Sequence, residues 1–315
     1  MIINVLEEMY RADARELNNR PRNVFRASSS GLCERRLGYE LLGVEGEPLQ
    51  PRRLAVLKHG TILDTALKAD LRRAFGDRFL NLDELPGNRF ELEGVTITFT
   101  PDGAFQSDDG QIGIVEFKTM AEFSFDRALK GEIDRQYLCQ AWCYHEGTGF
   151  NPIVFVCYRK NTSAYCEVIF DRNVEQTIVT QRFGGDPREL YLNDPLLVAE
   201  VRTPFDPSVE TEVREKFRRL SQVKTEADLA PGVRAIEPEV TRVQGRAKAD
   251  EHQAANPIHK NILKSGSWYT FETGRQIAKF PCSYCAWVKL CLNARLEIKD
   301  SQPRWIIESG GKAEE

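Results

Sequence analysis

The sequence lacks three features that would each indicate a particular class of protein. No run approaches the roughly eighteen consecutive apolar residues that a membrane-spanning helix needs, which excludes a membrane protein. The opening segment MIINVLEEMYRADARELNNR alternates acids, bases and apolar residues, unlike the basic start and apolar run of a secretory signal. Internal repeats are also absent. We therefore expect a cytoplasmic protein without a membrane partner.

An excess of charge of one sign is lacking as well. The chain has 43 lysines and arginines against 47 aspartates and glutamates, a formal net charge of −4. Such a balance argues against binding nucleic acid through overall basicity, although local basic patches can still hold phosphates. Arginine pairs such as Arg35-Arg36 and Arg72-Arg73 could form such patches or simply decorate a solvated helix face. Net charge therefore neither supports nor excludes a nucleic-acid partner.

The order of apolar patterns predicts an α/β fold. Helical periodicity covers residues 2–17, 31–43 and 51–75, the last beginning at a proline, as helices often do. Short β-like runs follow at 94–100 and 111–119, then a helix at 133–146 and two strands at 152–160 and 164–172. This order favours a mixed central sheet flanked by helices.

Five segments are predicted along the chain of 315 residues. Residues 1–50 form a helical segment, and 51–172 form the core. Residues 173–262 form a helical and charged insertion that could serve as a lid. Residues 263–298 carry a cysteine cluster, and 299–315 form a disordered tail. A single enlarged domain and a core with a smaller lobe are both compatible with this length.

Three polar residues are expected to converge within the core. Asp102 follows a β-like run, while Glu116 and Lys118 alternate along the next run and so face the same side of a strand. An Asp and a Glu on adjacent strands can hold Mg²⁺ or Mn²⁺, which lowers the pKa of a bound water for attack on a phosphodiester. Lys118 would orient that water or stabilise the developing charge. The alternative is the solvated polar face of an edge strand, but the apolar strand body favours a central position.

These residues resemble the PD-(D/E)XK nucleases. The core motif is matched by Pro101-Asp102, thirteen intervening residues, and Glu116-Phe117-Lys118. The resemblance implies a restriction-endonuclease-like core and places Asp102, Glu116 and Phe117 among the metal-binding positions.

The resemblance extends to the RecB-like branch of this class. RecB-like members carry G-x-x-x-H on an upstream helix, where this chain has Gly60 and, in place of the histidine, Asp64. Asp64 is therefore the expected ligand, with His59 as a weaker candidate. The RecB-like Q-x-x-x-Y motif is matched by Gln140 and Tyr144, which would touch the DNA backbone or brace Lys118.

The cysteines fall into two groups. Cys282, Cys285 and Cys291 lie within ten residues after a proline, and Cys33 opens a short helix, whereas the other four lie in apolar patterns typical of core residues. The first group is similar to the iron-sulfur cysteines of RecB-like nucleases, such as the CRISPR-associated RecB-like exonucleases and the AddB nuclease domain. That similarity implies a 4Fe-4S cluster on Cys33, Cys282, Cys285 and Cys291. Four thiolates also suit zinc.

The resemblance implies a metal-dependent exonuclease that acts on DNA, with single strands or free ends as substrate. The contexts it suggests are DNA repair, recombination, phage DNA processing and CRISPR adaptation, with an integrase or a helicase as partner. Two alternatives stay open: a non-catalytic DNA-binding or scaffold protein that retains the fold, and a zinc-binding interaction protein.

Overall fold

The computed structural model of the protein describes residues 2–18, 24–48, 50–80, 88–181, 197–230, 236–278, 285–292, 294–299 and 302–307. The chain forms two compact units. The first comprises Met1–Val44 and Gln50–Leu229, and the second comprises Glu45–Leu49 and Ala230–Glu315. None of the helices in the described ranges has both the length and the apolar character needed to cross a membrane.

The first unit contains the helices and strands that were predicted for the core, together with further elements. Its helices are α1 (Ile2–Asn18), α2 (Glu34–Leu42), α3 (Pro51–Phe75), α4 (Glu122–Ala128), α5 (Arg135–Thr148) and α6 (Pro207–Leu220). Its strands are β1 (Phe25–Arg26), β2 (Phe79–Leu80), β3 (Arg89–Leu92), β4 (Val95–Thr98), β5 (Gly103–Gln106), β6 (Ile112–Met120), β7 (Ile153–Arg159), β8 (Tyr165–Phe170), β9 (Ile178–Gln181) and β10 (Leu197–Thr203).

A mixed sheet forms the centre of this unit, as predicted. Its strand order is β2-β5-β6-β7-β8-β10-β9 within the described residues. The pairs β6–β7 and β8–β10 are parallel, whereas the other neighbours are antiparallel. Strand β6, which carries Glu116 and Lys118, therefore lies inside the sheet between β5 and β7, which confirms the prediction of a central strand.

The core of the first unit lies between one face of the sheet and helices α5 and α6. Alternate residues of the strands point to this face, including Ile114, Phe155 and Val168, and all three are buried. Helix α5 contributes Ala141 and Cys143 to the same cluster. Because α5 is packed so closely on the sheet, its side chains reach β6 directly.

A smaller sheet connects the N-terminal residues to this core. Its order is β1-β4-β3, with β1 and β4 parallel. The Phe25 ring lies 5.1 Å from the Phe217 ring of α6, and Lys216 donates to the carbonyls of Ser30 and Leu32. The turn that leads to Cys33 is therefore fixed on α6.

Helix α2 begins and ends where the sequence predicted. Cys33 is its N-terminal capping residue, and Gly43 ends it with φ of 69°. This left-handed conformation favours glycine, since a Cβ would be strained there.

The second unit contains strands β11 (Ile236–Gln244), β12 (Lys260–Ser265), β13 (Trp268–Ala278), β14 (Ala294–Lys299) and β15 (Gln302–Ile307), and helices α7 (Arg246–Ala255) and α8 (Val288–Leu292). The sheet order is β11-β13-β15-β14, and β12 also pairs with β13. Segment 45–49 joins this unit, where the Glu47 amide donates to the Ala286 carbonyl at 2.7 Å.

Two predictions for the C-terminal half need correction. The insertion expected over 173–262 contains helices α6 and α7, but it also contains strands, and one of them, β10, is a member of the central sheet beside β8. The disordered tail expected from residue 299 contains β15, which pairs with β14. Strand β10 pairs with a strand that is distant in the sequence, and β15 forms a hairpin with β14 and also pairs with the more distant β13. Such pairing stabilises an extended conformation that local sequence pattern does not reveal. Residues 308–315 lie outside the described residues.

Candidate active site

Three elements of the first unit bring the predicted polar residues to one small cavity. Helix α3 supplies Asp64, the turn before β5 supplies Asp102, and β6 supplies Lys118. These side chains line a cavity of about 180 Å³ together with Gly60, Thr61, Leu67, Phe117, Thr119 and Tyr158. Of the three residues predicted to converge, Asp102 and Lys118 line this cavity, whereas Glu116 lies outside its lining and contacts Lys118 at 2.9 Å.

The main chain of β6 holds Asp102. The Phe117 amide donates to Oδ2 of Asp102 at 2.8 Å. This bond fixes the carboxylate relative to the strand that carries Glu116. Phe117 itself buries its side chain, so its contribution to this site is made through its main chain.

A lysine lies between the two aspartates. Nζ of Lys68 is 2.9 Å from Oδ1 of Asp102 and 3.0 Å from Oδ2 of Asp64. Burial lowers the pKa of Lys68, but its hydrogen bonds to Asp102 and Asp64 more than offset this, so its pKa is raised. The ammonium group therefore neutralises part of the negative charge of the cavity.

The remaining oxygen of Asp64 has no such partner in the part of the chain that the structure describes. Its Oδ1 is buried and accepts no hydrogen bond from any of the described residues. Burial raises the pKa of Asp64, and the Asp102 carboxylate adds to that rise, while Lys68 opposes it. Because buried acceptors are nearly always satisfied in proteins, this oxygen is suited to a ligand that the chain itself does not supply.

Glu116 is held by two side chains of α5. Its Oε1 accepts from Nε2 of Gln140 at 2.8 Å, and its Oε2 accepts from the Tyr144 hydroxyl at 2.7 Å. Gln140 also donates to the Tyr144 oxygen at 2.7 Å. Both α5 residues are buried, so in this structure they orient Glu116 and are not available to touch a DNA backbone.

Burial dominates the electrostatics of this network. It raises the pKa of Glu116, against the opposing effect of the nearby Lys118 ammonium. The pKa of Tyr144 is raised well above its ordinary value, first by burial and then by the adjacent Glu116 charge. Tyr144 therefore keeps its proton and acts as a hydrogen-bond donor.

Lys118 lies next to Glu116 on the same side of β6, as the alternation predicted. Its Nζ is 2.9 Å from Oε1 of Glu116 and 3.0 Å from Oε1 of Gln140. The same ammonium lies 5.2 Å from the centre of the Tyr137 ring and 5.4 Å from that of Phe155. These contacts fix the lysine beside the cavity.

His59 and Asp64 differ in their positions. His59 is exposed on α3 and is not among the residues that line the cavity, whereas Asp64 faces Asp102 through Lys68. The described residues contain no group of three or more His, Cys, Asp or Glu side chains that is already arranged to hold an ion.

Lys68 was missed by the sequence analysis. Asp64 and Lys68 are four residues apart on α3 and so form a pair on one helix face. That spacing was visible in the sequence, but it commonly indicates a simple surface ion pair. Only the packing of α3 beside the turn that carries Asp102 shows that the lysine bridges two carboxylates.

The cysteines again fall into two groups. Cys139, Cys143, Cys157 and Cys166 are buried, which confirms their prediction as core residues. Burial raises the pKa of Cys139 to about 11 and that of Cys143 to about 12. Cys33, in the first unit, and Cys285 and Cys291, in the second, are half-buried. Cys282 lies outside the described residues.

Comparison with known proteins yields structural likenesses only. No family model and no curated protein matches the chain. The crystal structure of SSO0001 is 17% identical with a TM-score of 0.38, covering 56% of this chain and 80% of that one. An alkaline exonuclease (LHK-Exo) from Laribacter hongkongensis is 15% identical with a TM-score of 0.37, covering 68% of this chain and 92% of that one. At such scores neither likeness carries an argument about this protein.

Proposed function

We propose that the protein is a divalent-metal-dependent nuclease that hydrolyses phosphodiester bonds in DNA. The observation that carries this proposal is the arrangement of Asp64, Asp102 and Lys118 around one cavity at the junction of α3, β5 and β6. Glu116 lies next to this cavity and contacts Lys118. The motifs that resemble the PD-(D/E)XK class occupy these same positions in the sequence.

The donor set fits a hard divalent cation. Mg²⁺ and Mn²⁺ prefer carboxylate oxygens, and Asp64 offers a buried oxygen that no described residue bonds. The same two aspartates already hold one cation, the Lys68 ammonium. Asp64, Asp102 and Glu116 would therefore bind Mg²⁺ or Mn²⁺, with His59 as a less suitable alternative because it is exposed on α3 outside the cavity lining.

The bound ion would supply an activated water and neutralise charge on the phosphate. The protein's own groups prepare the site for this reaction. The Phe117 amide orients Asp102, while Gln140 and Tyr144 orient Glu116. The Lys118 ammonium, held by Glu116 and Gln140, is in position to donate hydrogen bonds to a phosphate or a water at the cavity.

DNA with single strands or free ends is the substrate that we propose, on the basis of the resemblance to RecB-like exonucleases. An aromatic side chain that stacks on a base must be accessible to it. Trp142, Tyr144 and Tyr269 are buried, whereas Trp268 is 45% exposed. Trp268 is therefore the one of these four that is accessible for base stacking. An integrase or a helicase partner, in repair, recombination, phage or CRISPR processing, is part of the same proposal.

We also propose that Cys33, Cys282, Cys285 and Cys291 bind a 4Fe-4S cluster. The described members of this set are half-buried, while the other four cysteines are buried in the core. This difference in accessibility supports the assignment, because a cluster ligand must be able to reach its metal. Anaerobic purification should yield a brown protein with a visible absorption band and about four irons per chain. A colourless protein with stoichiometric zinc would contradict the cluster.

The nuclease proposal is tested by digestion of end-labelled DNA strands in Mg²⁺ or Mn²⁺. We expect degradation by the native protein and a loss of about a hundredfold or more in Lys118→Ala, as is common when a charge-stabilising group is removed. Blocking both strand ends should prevent digestion if the enzyme is an exonuclease. Equal digestion by the native protein and Lys118→Ala would contradict the assignment, and binding without cleavage would favour the non-catalytic alternative.

A further inference from the structure

Lys68 has contacts that an ordinary surface lysine does not make. Its Nζ lies 3.0 Å from Oδ2 of Asp64 and 2.9 Å from Oδ1 of Asp102. The side chain is only 25% exposed. One ammonium group therefore bridges the same two carboxylates to which the proposed function assigns the divalent cation.

Three of the four carboxylate oxygens of Asp64 and Asp102 already accept a hydrogen bond. Lys68 occupies Oδ2 of Asp64 and Oδ1 of Asp102, and the Phe117 amide occupies Oδ2 of Asp102. Only Oδ1 of Asp64 has no hydrogen-bond partner among the described residues. A divalent cation that needs several oxygen ligands would have to take over oxygens that Lys68 now holds.

The geometry points to Lys68 as an internal competitor of the divalent cation, which must leave Asp64 and Asp102 when the ion binds. This inference rests on the proposed function, because it concerns the same carboxylates. It assigns Lys68 a positioning role: the ammonium holds the two acids side by side without an ion, and it raises the concentration of ion needed for occupancy.

Displacement is compatible with the chemistry of lysine. The ammonium is a point charge on a flexible four-carbon stem, so it can rotate away without moving the helix. Its partial exposure gives the charged end access to water. By linkage, the ion and the Lys68 contacts must weaken one another to the same degree.

Lys68→Met tests this competition, because methionine retains the apolar stem and removes the charge. Mn²⁺ binding to the full chain is measured by titration calorimetry, with melting temperatures recorded with and without Mn²⁺. We expect the dissociation constant for Mn²⁺ to fall by about tenfold or more, since charge-assisted hydrogen bonds are among the strongest in proteins. Without Mn²⁺, Lys68→Met should melt below the native protein, because Asp64 and Asp102 lose their shared counter-ion. In the presence of Mn²⁺ the difference in melting temperature between Lys68→Met and the native protein should become smaller.

Lys58→Met is the matched control. Lys58 lies on the same helix and its Nζ also pairs with an aspartate, Asp13, at 2.6 Å, but it does not line the cavity. Its Mn²⁺ affinity should equal that of the native protein. Lys68→Arg, which keeps the charge, should bind Mn²⁺ no more tightly than the native protein. If Lys68→Met does not fold, Lys68→Gln takes its place with the same expected gain.

Equal or weaker Mn²⁺ binding by Lys68→Met, or by Lys68→Gln in its place, overturns the inference. Its failure and that of the nuclease proposal are distinguishable. If the native protein cleaves labelled strands but the variant has an unchanged Mn²⁺ affinity, the inference about Lys68 is wrong and the nuclease proposal is retained. If the variant binds Mn²⁺ more tightly but the native protein does not cleave DNA, the competition between Lys68 and the ion is supported and the nuclease proposal is wrong.

Discussion

The hydroxyl of Tyr144 on helix α5 donates a hydrogen bond to Oε2 of Glu116 on strand β6 at 2.7 Å, and both side chains are buried. This bond joins the helix of the Q-x-x-x-Y motif to the strand of the E-x-K motif. Two patterns that are 28 residues apart in the sequence therefore form one network. Helix α5 therefore orients the Glu116 carboxylate and supplies hydrogen-bond donors to this buried group.

Tyr144→Phe should destabilise the protein. The substitution removes one hydrogen bond to a buried carboxylate and leaves the ring packing in place, which typically lowers the free energy of unfolding by about 1–3 kcal/mol. Urea unfolding monitored by circular dichroism measures this. Tyr158→Phe is the control, because the Tyr158 hydroxyl bonds to Ser163 at an exposed turn. An unchanged free energy of unfolding in Tyr144→Phe would show that the Tyr144–Glu116 bond contributes nothing to stability.

Gly31→Ala should also destabilise the fold. A Cβ at residue 31 would lie 2.5 Å from Cα of Gln136 on α5. A backbone atom of a packed helix cannot move aside cheaply, so we expect a loss of about 1–3 kcal/mol in the free energy of unfolding. Thermal and urea unfolding check the loss. A variant as stable as the native protein would mean that the turn before Cys33 can shift away from α5.

Gly60→Ala should have the opposite effect on stability. Gly60 lies inside α3, and among the described atoms outside the helix backbone a Cβ there would meet only Oγ1 of Thr119, at 3.9 Å. Alanine is the better helix former, so the free energy of unfolding should rise by about 0.5–1 kcal/mol. Because the residue lines the cavity, the added methyl group should at the same time slow cleavage of DNA. A drop in melting temperature would contradict the described position of this glycine.

His145 should make the protein sensitive to mild acid. Burial lowers the pKa of its ring, whose Nδ1 lies 2.7 Å from the Phe150 carbonyl oxygen. The unfolded chain then binds the proton at higher pH than the folded one. The free energy of unfolding should therefore fall as the pH drops through about 6.5, the usual value for histidine.

Urea unfolding at about pH 7.5 and about pH 5.5, on either side of that usual value, measures the effect. His145→Gln should lose less stability between the two pH values than the native protein does. His59→Gln, at an exposed position on α3, should lose as much as the native protein. If His145→Gln loses as much free energy of unfolding between the two pH values as the native protein, the acid sensitivity comes from other groups.

Much of the site could be predicted because its signals are local. Alternation along β6 places Glu116 and Lys118 on one side of the strand, and the four-residue spacing of Gln140 and Tyr144 places both on one face of α5. The structure confirms both relationships through direct hydrogen bonds. The proline at position 51 also marks the start of α3 correctly.

The parts that were missed depend on contacts between distant segments. Strand β10 joins the central sheet by parallel pairing with β8 and antiparallel pairing with β9, and its own short sequence does not specify those partners. Strand β11 lies within the segment 173–262, which was predicted as a helical and charged insertion. Its side chains are mostly exposed or half-buried, so it lacks a clear apolar pattern. Lys68 acquires its role only because α3 packs beside the turn that carries Asp102.

The most direct test of the account is the rate at which Glu116→Gln degrades an end-labelled single strand in Mn²⁺. Glutamine keeps the shape of Glu116 and can still accept from Tyr144, but it removes the charge on which ion binding depends. We expect a variant that still melts cooperatively and degrades the strand at a rate lower than that of the native protein by about a hundredfold or more. A folded Glu116→Gln variant that degrades the strand at the native rate would contradict it.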